Sequence, residues 1–491
     1  MKNINVAGRP EFSGFVDFLR LLRLVSTVYI VALAGCALVG PDYKKPEMPV
    51  EADFANANQE GLTTANAEAA WWKGFNDEKL NRYIEAAISA NHDLRIATAN
   101  LLEARALQVQ VGYDRFPTVT AAASYTKERI AQDATLPGAP RNIGLFQAGF
   151  DAFWELDFFG RVRRNIEAAT ANVEAAEASR RDVMVSLIAE VARNFFELRG
   201  EQNQLQVARD NAKNQRETLD LTIAVLEGGR GTELDTANAR QQLNTTLATI
   251  PLLEASIRRT MYRLSVLTGQ QPQALVVELD EPVPLPEYSG PVALGHPEDL
   301  LRRRPDIRVA ERSLAASTAR VGVAVADLFP RVTFNGSVGY EAHNLSGLGS
   351  AGSDTYSIIP SISWAAFNLG RVRAGIRAAD ARTEANLAFY EKTVLTALEE
   401  TEGALVNFGR ERVRRDYLRA AAAASREAAA LSRQRYQEGI ATFLTELDAE
   451  RRLLETEQQL AQSETSTATA LVAVYKALGG GWEIEQPLAA K

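Results

Sequence analysis

Trp154-Glu-Leu-Asp-Phe-Phe-Gly160-Arg-Val-Arg163 recurs 210 residues later as Trp364-Ala-Ala-Phe-Asn-Leu-Gly370-Arg-Val-Arg373, and this pair decides how the rest of the chain is read. Downstream, Gly229, Thr232, Leu234 and Ala239 match Gly439, Thr442, Leu444 and Ala449 at the same shift. Upstream, Asp93-Leu-Arg-Ile96 and Phe116-Pro117 match Asp306-Ile-Arg-Val309 and Phe329-Pro330 at a shift of 213. The three-residue change falls between the Phe-Pro and Trp positions, where an insertion in a loop costs little. Internal repetition sets the architecture before any element is assigned. Two copies of one unit occupy residues 77–270 and 298–480, joined by a Pro-rich link at 271–297.

Each copy has the same grammar. A helical segment (residues 79–115 and 298–328) is stopped by Pro117 or Pro330. Two strands follow. Val332, Phe334, Gly336, Val338 and Tyr340 alternate with polar residues or Gly; Phe146, Ala148, Phe150, Ala152 and Trp154 form a second run of period two, and Tyr356, Ile358, Ile362 and Trp364 a third. The Ala-rich stretch 118–126 is the fourth and weakest strand, and Pro360 weakens the third run. Proline-free tracts rich in Ala, Glu, Arg and Leu then run over 160–250 and 361–486. As one helix, residues 160–227 would be about 100 Å long and would need packed neighbours along its length. Gly200 and Gly409 are expected bends, and the glycines at 228–231 and 439 are expected reversals. Four strands cannot close a membrane barrel, which takes about eight, so the open edges must pair with other copies of the chain.

The composition narrows the function. The 491 residues carry 54 Lys+Arg and 62 Asp+Glu, with a single Cys and three His. That inventory excludes a disulfide framework, a zinc cluster and a haem pocket, and the acidic balance argues against nucleic acid. No G-x-S-x-G or Walker A sequence occurs, and His92, His296 and His343 lie far apart, so neither an enzyme nor a metal site is expected. Gly347-Leu-Gly-Ser-Ala-Gly352 matches G-x-G-x-x-G but lies between two strands, so it reads as loop glycine and not as a dinucleotide site. Arg302-Arg303-Arg304 reads as surface or interprotomer charge pairing.

The N-terminus carries an address. Lys2, Arg9, Arg20 and Arg23 precede an apolar run over residues 24–35, too short to span a bilayer and therefore a signal segment. Leu33-Ala34-Gly35-Cys36 resembles the bacterial lipobox. Cleavage after residue 35 would let the Cys36 thiol carry diacylglycerol and its new amine a third acyl chain. Ala37, in place of Asp, does not favour retention at the inner membrane.

Several blocks resemble the outer membrane factor (TolC-like) family, specifically its NodT/OprM-type efflux lipoproteins. They are Val39-Gly-Pro-Asp-Tyr-Lys-Lys-Pro46, Trp71-Trp-Lys-Gly-Phe75-Asn-Asp-Glu-Lys-Leu80, Asn91-His-Asp-Leu-Arg95, Asp299-Leu-Leu-Arg-Arg-Arg-Pro-Asp-Ile-Arg308 and Arg435-Tyr-Gln-Glu-Gly439 with Leu444 and Leu447-Asp448-Ala449. His92 stands where the family usually has Pro. The resemblance implies an α+β membrane protein, a trimer with a 12-stranded β-barrel (four strands per chain) and a long periplasmic α-helical barrel. It implies the divisions 1–35 signal peptide, 36–76 lipid-anchored extended segment, 77–270 first efflux repeat, 271–297 equatorial linker, 298–480 second efflux repeat and 481–491 tail. It also implies an exit duct for drug-like compounds, working with a periplasmic adaptor and an inner-membrane transporter of the RND type, with no cofactor beyond the lipid on Cys36. Ducts for metal cations or secreted polypeptide share this architecture, and a poreless coiled-coil lipoprotein is the competing class. The three methionines beyond residue 36 do not support a copper relay.

Two sites are expected near the helix reversals. Thr232-Glu-Leu-Asp235 reads as a helix cap, and Thr442 as its counterpart; the resemblance further implies that an adaptor docks at the tips, at Gly229, Thr232 and Leu234 in the first and Gly439 and Thr442 in the second. Leu444, Asp448 and Arg451 are spaced i, i+4, i+7 and so share one helix face. In a trimer that face would repeat as apolar, acidic and basic rings, and the resemblance places the family's periplasmic aperture at these positions, with Tyr436 as a tip tyrosine. The TolC branch has Arg and Asp where this chain has Ala441 and Thr445, so that second polar network is expected to be missing. For the anchor, Cys36→Ser is expected to abolish acyl labelling and lipoprotein maturation while lowering export only partly, because a barrel also holds the chain in the membrane. Normal acyl incorporation in the variant would remove the lipobox from the argument.

Overall fold

The computed structural model describes residues 38–65, 68–134, 138 and 140–484. The expected signal peptide, Cys36 and the end of the expected tail lie outside the described residues. In chain order, a short strand β1 (Leu62–Thr63) precedes helices α1 (Glu78–Ala90) and α2 (His92–Gly112) and strands β2 (Thr118–Arg129) and β3 (Asn142–Leu156). Helices α3 (Arg161–Glu227) and α4 (Glu233–Leu267) complete the first copy. After the single turn α5 (Val276–Leu279) and strand β4 (Val292–Ala293), the order repeats as α6 (Pro297–Arg303), α7 (Pro305–Ala326), β5 (Arg331–Ala342), β6 (Asp354–Ser363), α8 (Leu369–Gln437) and α9 (Phe443–Ala477).

The leading helix of each copy, expected as one segment, is two. In the first copy Asn91 ends α1 and caps α2, its Oδ1 accepting from the backbone N–H of Asp93 at 2.8 Å and of Leu94 at 3.1 Å. In the second copy Pro305, which has no N–H and disfavours helix at the residue before it, makes the break after Arg304. Asn91 and Arg304 are repeat-equivalent and do the same job. The Asn91 amide donates to the Leu267 carbonyl at 3.0 Å and the Arg304 guanidinium to the Ala477 carbonyl at 2.9 Å, each tying the break to the last residue of its copy's final helix.

The copies are not domains in series. The chain forms two compact units, each built from both copies. The first comprises the described residues up to Pro46, Glu103–Val173 and Arg312–Ala388; the second comprises Glu47–Leu102, Glu174–Glu311 and the residues from Phe389 on.

The first unit is organised by an antiparallel sheet in the order β2-β3-β5-β6. All four expected strands are present, and Pro360 is accommodated on the edge strand β6, where a missing donor is tolerated. Trp364 lies just past the end of β6 rather than within it. Its Nε1 donates to the Leu328 carbonyl at 2.8 Å, and the equivalent Trp154 donates to the Arg115 carbonyl at 3.0 Å. The duplicated tryptophans thus fasten the second strand of each hairpin to the end of the helix that precedes it. Phe159 and Phe329 stack at 4.7 Å. The N-terminal segment is clamped by Arg164, itself almost wholly buried, which donates to the carbonyls of Val39 at 3.2 Å and Gly40 at 3.3 Å and to the Asp42 carboxylate at 2.7 Å.

The second unit has a conventional core. Trp71, Trp72 and Phe75 are buried with Phe195, Phe196 and Tyr475; the Trp71 and Tyr475 rings stack at 5.0 Å, and Tyr475 shares a 2.6 Å hydrogen bond with Tyr288. The Pro-rich link belongs to this unit, and its β4 pairs in parallel with β1. Arg302 pairs at the surface, as expected, whereas Arg303 and Arg304 pair within the folded chain, which corrects the expectation for those two. Arg302 meets Glu298 at 2.6 Å, Arg303 meets Glu483 at 2.7 Å, and the buried Arg304 meets Asp306 and Glu400 at 2.7 Å each. Among the described residues no helix is long and apolar enough to cross a membrane, and no cluster of His, Cys, Asp or Glu could hold a metal ion.

Gly200 and Gly409, expected as bends, lie inside the uninterrupted helices α3 and α8. Close packing explains Gly200, where a Cβ would overlap the Thr465 side chain down to its Cβ; at Gly409 a Cβ would meet only the flexible end of Gln59. Gly200→Val is therefore expected to cost about 1–3 kcal/mol through overpacking. Adding Thr465→Ala should recover most of that loss in thermal unfolding, and no recovery would mean that another contact accounts for the glycine.

Candidate functional site

Two helix-hairpin tips, both in the second unit, are closed by the same backbone geometry. At the first, the N–H of Gly229 donates to the Leu226 carbonyl at 2.9 Å and that of Arg230 to Val225 at 3.1 Å. At the second, Gly439 donates to Tyr436 at 2.9 Å and Ile440 to Arg435 at 2.8 Å. This paired pattern closes a helix when the residue after its last turn is left-handed, and Gly229 and Gly439 have φ of 72° and 76°. Glycine takes that conformation without a side-chain penalty.

The helices restart differently. Thr232 and Asp235 form a reciprocal capping box, in which the Thr232 hydroxyl accepts from the Asp235 N–H and the Asp235 carboxylate accepts from the Thr232 N–H, each at 3.2 Å. Thr442 occupies the same position, but its side chain caps no backbone N–H; its hydroxyl shares a 3.0 Å hydrogen bond with the Thr445 hydroxyl. The third residue of α9 is a Thr, which lacks the reach and charge of Asp235, so the expected symmetry of the caps fails there. Leu234, Ile440 and Leu444 stand exposed at the tips.

Between the hairpins lies a small apolar seam of Ala239, Phe443 and Leu447, flanked by Leu219 and Tyr436. Polar ties extend it. Arg433 pairs with Glu217 at 2.9 Å, the Thr218 hydroxyl donates to Glu450 at 2.6 Å, and the Asn211 amide donates to Glu457 at 3.1 Å.

Leu444, Asp448 and Arg451 all lie exposed on one side of α9, with Leu444 at 67%. Asp448 pairs with Arg452 at 2.9 Å, one residue beyond the arginine singled out from the sequence. An i, i+4 pair on a helix is well aligned and accounts for that choice. Tyr436 does not join this face. Its ring packs at 5.7 Å on the buried Phe443, and burial raises its phenol pKa. The fold therefore brings Leu444 and Asp448 together on an open face and assigns Tyr436 to the seam.

The sequence reading missed Glu446. It is fully buried, and neither carboxylate oxygen has a hydrogen-bond partner. The signal was available: the buried Phe443 and Leu447 are spaced i, i+4, which places residue 446 on the same inward stripe.

With this geometry in hand, known proteins provide a measure of likeness. The family model described as "Outer membrane efflux protein" matches residues 83–270 and 296–480, one stretch in each copy. The chain is 33% identical over 471 residues to the solvent efflux pump outer membrane protein SrpC of Pseudomonas putida, covering 93% of this chain and 98% of that one. It is 32% identical over 468 residues to nodulation protein T of Rhizobium leguminosarum bv. trifolii, covering 94% and 98%. Among solved structures, the outer-membrane channel OprN superposes with a TM-score of 0.86 at 44% identity, over 91% of this chain and all of that one.

The unequal caps make a prediction. Thr232→Ala should cost about 1 kcal/mol of local stability and speed hydrogen exchange in the first turn of α4, whereas Thr442→Ala should change the start of α9 by a few tenths at most. Equal losses at the two tips would contradict the cap assignment.

Proposed function

The chain belongs to the outer membrane efflux protein family, a family of channels and not of enzymes, and from that premise we propose that three copies form the outer-membrane exit duct of a tripartite pump. One observation carries the proposal: the two faces of the four-stranded sheet differ in chemistry. The strand registers put Val119, Tyr125, Phe146, Phe150, Trp154, Val338, Tyr340, Tyr356, Ile358 and Ile362 on one face, most of them exposed. The other face carries Ser124, Gln147 and Glu341 linked by hydrogen bonds of 3.3 and 3.1 Å, and Ser337 paired with Ser357 at 2.7 Å. An exposed apolar face backed by a polar one suits a barrel wall with lipid outside and water inside. A poreless rod has no use for it. Among the described residues the outer strands β2 and β6 each lack a neighbour on one side, and pairing β2 of one copy with β6 of the next gives twelve strands from three copies.

The other assignments rest on the family and on this chain's own residues. The names of the solvent efflux protein SrpC and the toluene efflux protein TtgI support apolar small molecules as cargo, and the proposed pump is completed by a periplasmic adaptor and an inner-membrane transporter, of the RND type by the family resemblance. The exposed tip residues around Gly229, Thr232, Leu234, Gly439 and Thr442 would receive the adaptor. Lipid on Cys36 fits the clamp on the N-terminal segment. The Val39 N–H donates to the Phe159 carbonyl at 3.4 Å, and the two chain steps from Leu38 back to an acylated Cys36 reach at most about 7 Å. At the tips, three copies of Leu444 would form an apolar ring that excludes water, and three of Asp448 an acidic ring favouring cations; Arg451 lies one turn further along.

Leu444→Ala with Asp448→Ala should raise single-channel conductance several-fold and make cells leakier to large antibiotics. Unchanged conductance in a folded trimeric double variant would move the constriction elsewhere.

A further inference from the structure

Glu446 lies at the fourth position of α9, on the stripe that packs the second hairpin against the first. A fully buried carboxylate with no donor on either oxygen is tolerated far better neutral than ionised. The groups around it do little to hold the charge. On its own helix Glu450 adds negative charge and is occupied by Thr218 of α3. From α8, Arg433 is the favourable cation, but it is already paired with Glu217 of α3, and Tyr436 presents a half-buried phenol. From α4, Asp235 faces Tyr436 and is held in the capping box. The residue equivalent to Glu446 in the first hairpin is Thr236, buried but neutral, so only one of the two matching positions can respond to protons.

We propose that Glu446 makes the seam between the hairpins a proton-operated latch: protonated, it lets the tips stay packed; ionised, it drives the seam to loosen and admits water. Where the tips close the inner end of the duct, loosening the seam opens it, and in this respect the inference rests on the function proposed above. Burial, reinforced by Glu450 and opposed by Arg433, pushes the Glu446 pKa from 4.5 up to about 7. The sign follows from linkage. The packed seam has its full stability below the ordinary carboxylate range. It loses ground by up to about tenfold per pH unit as pH rises towards 7, and the effect levels off above that. Acid therefore closes the latch and neutral to alkaline pH releases it.

The test compares the purified wild-type assembly with Glu446→Gln and Glu446→Leu in planar bilayers between pH 5.5 and 8.5. Hydrogen exchange of residues 433–450 is followed on the same samples and corrected for intrinsic rates. In the wild type the open fraction and the seam exchange should both rise with pH, by up to about tenfold per unit below 7. Both variants should keep the closed, slowly exchanging behaviour of acid pH throughout. A flat wild-type profile, or the same profile in the variants, overturns the latch. If the wild type conducts at no pH, the duct reading fails, and exchange alone then decides the latch: a pH-dependent seam in the wild type but not in Glu446→Gln upholds it, and a pH-independent seam overturns it.

Discussion

A β-strand edge exposed to lipid has no water to satisfy its N–H and C=O groups, and this constraint governs the rest of the molecule. Among the described residues, strands β2 and β6 each leave one edge unpaired, and the face they share with β3 and β5 is apolar and largely exposed. A soluble monomer would bury that face or blunt those edges. Among the described residues nothing covers that face, and further copies of the chain would cover both edges. In the proposed closed ring of strands, the polar inner face would enclose water, and the family's place in the outer membrane gives that water a use.

Duplication supplies the parts economically. The same tryptophan hydrogen bond secures both β-hairpins, and the same break, served once by Asn91 and once by Arg304, ties each leading helix pair to the end of its copy. The change of shift from 210 to 213 residues in the repeat is matched by these contacts: Trp154 and Trp364 keep the first spacing, and their acceptors Arg115 and Leu328 the second. That much was legible, because alternation along strands and proline-free helical tracts are local patterns. The interleaving of the two units was not legible, since it depends on which part of each copy packs on the other. Gly200 illustrates the difference. Sequence propensity marks a mid-helix glycine as weak, but packing against Thr465 makes it a point of close contact.

The tips show a similar division. Helix punctuation by Gly229, Gly439 and Thr232 follows from backbone chemistry and reads directly from the residues. Which polar residue faces inward does not. Leu444, Asp448 and Arg451 read as one face from their i, i+4, i+7 spacing, and the resemblance groups Tyr436 with them, whereas its ring lies in the seam. Glu446 escaped because a carboxylate beside Leu447 looks like one more solvated charge until the stripe defined by Phe443 is drawn through it.

The central claim is that the sheet of one chain is completed by the sheets of others. Native mass measurement of the assembly extracted in mild detergent tests it most directly. The account predicts a stable species of three copies that persists at concentrations where a loose oligomer would dissociate; a stable, folded monomer would contradict it.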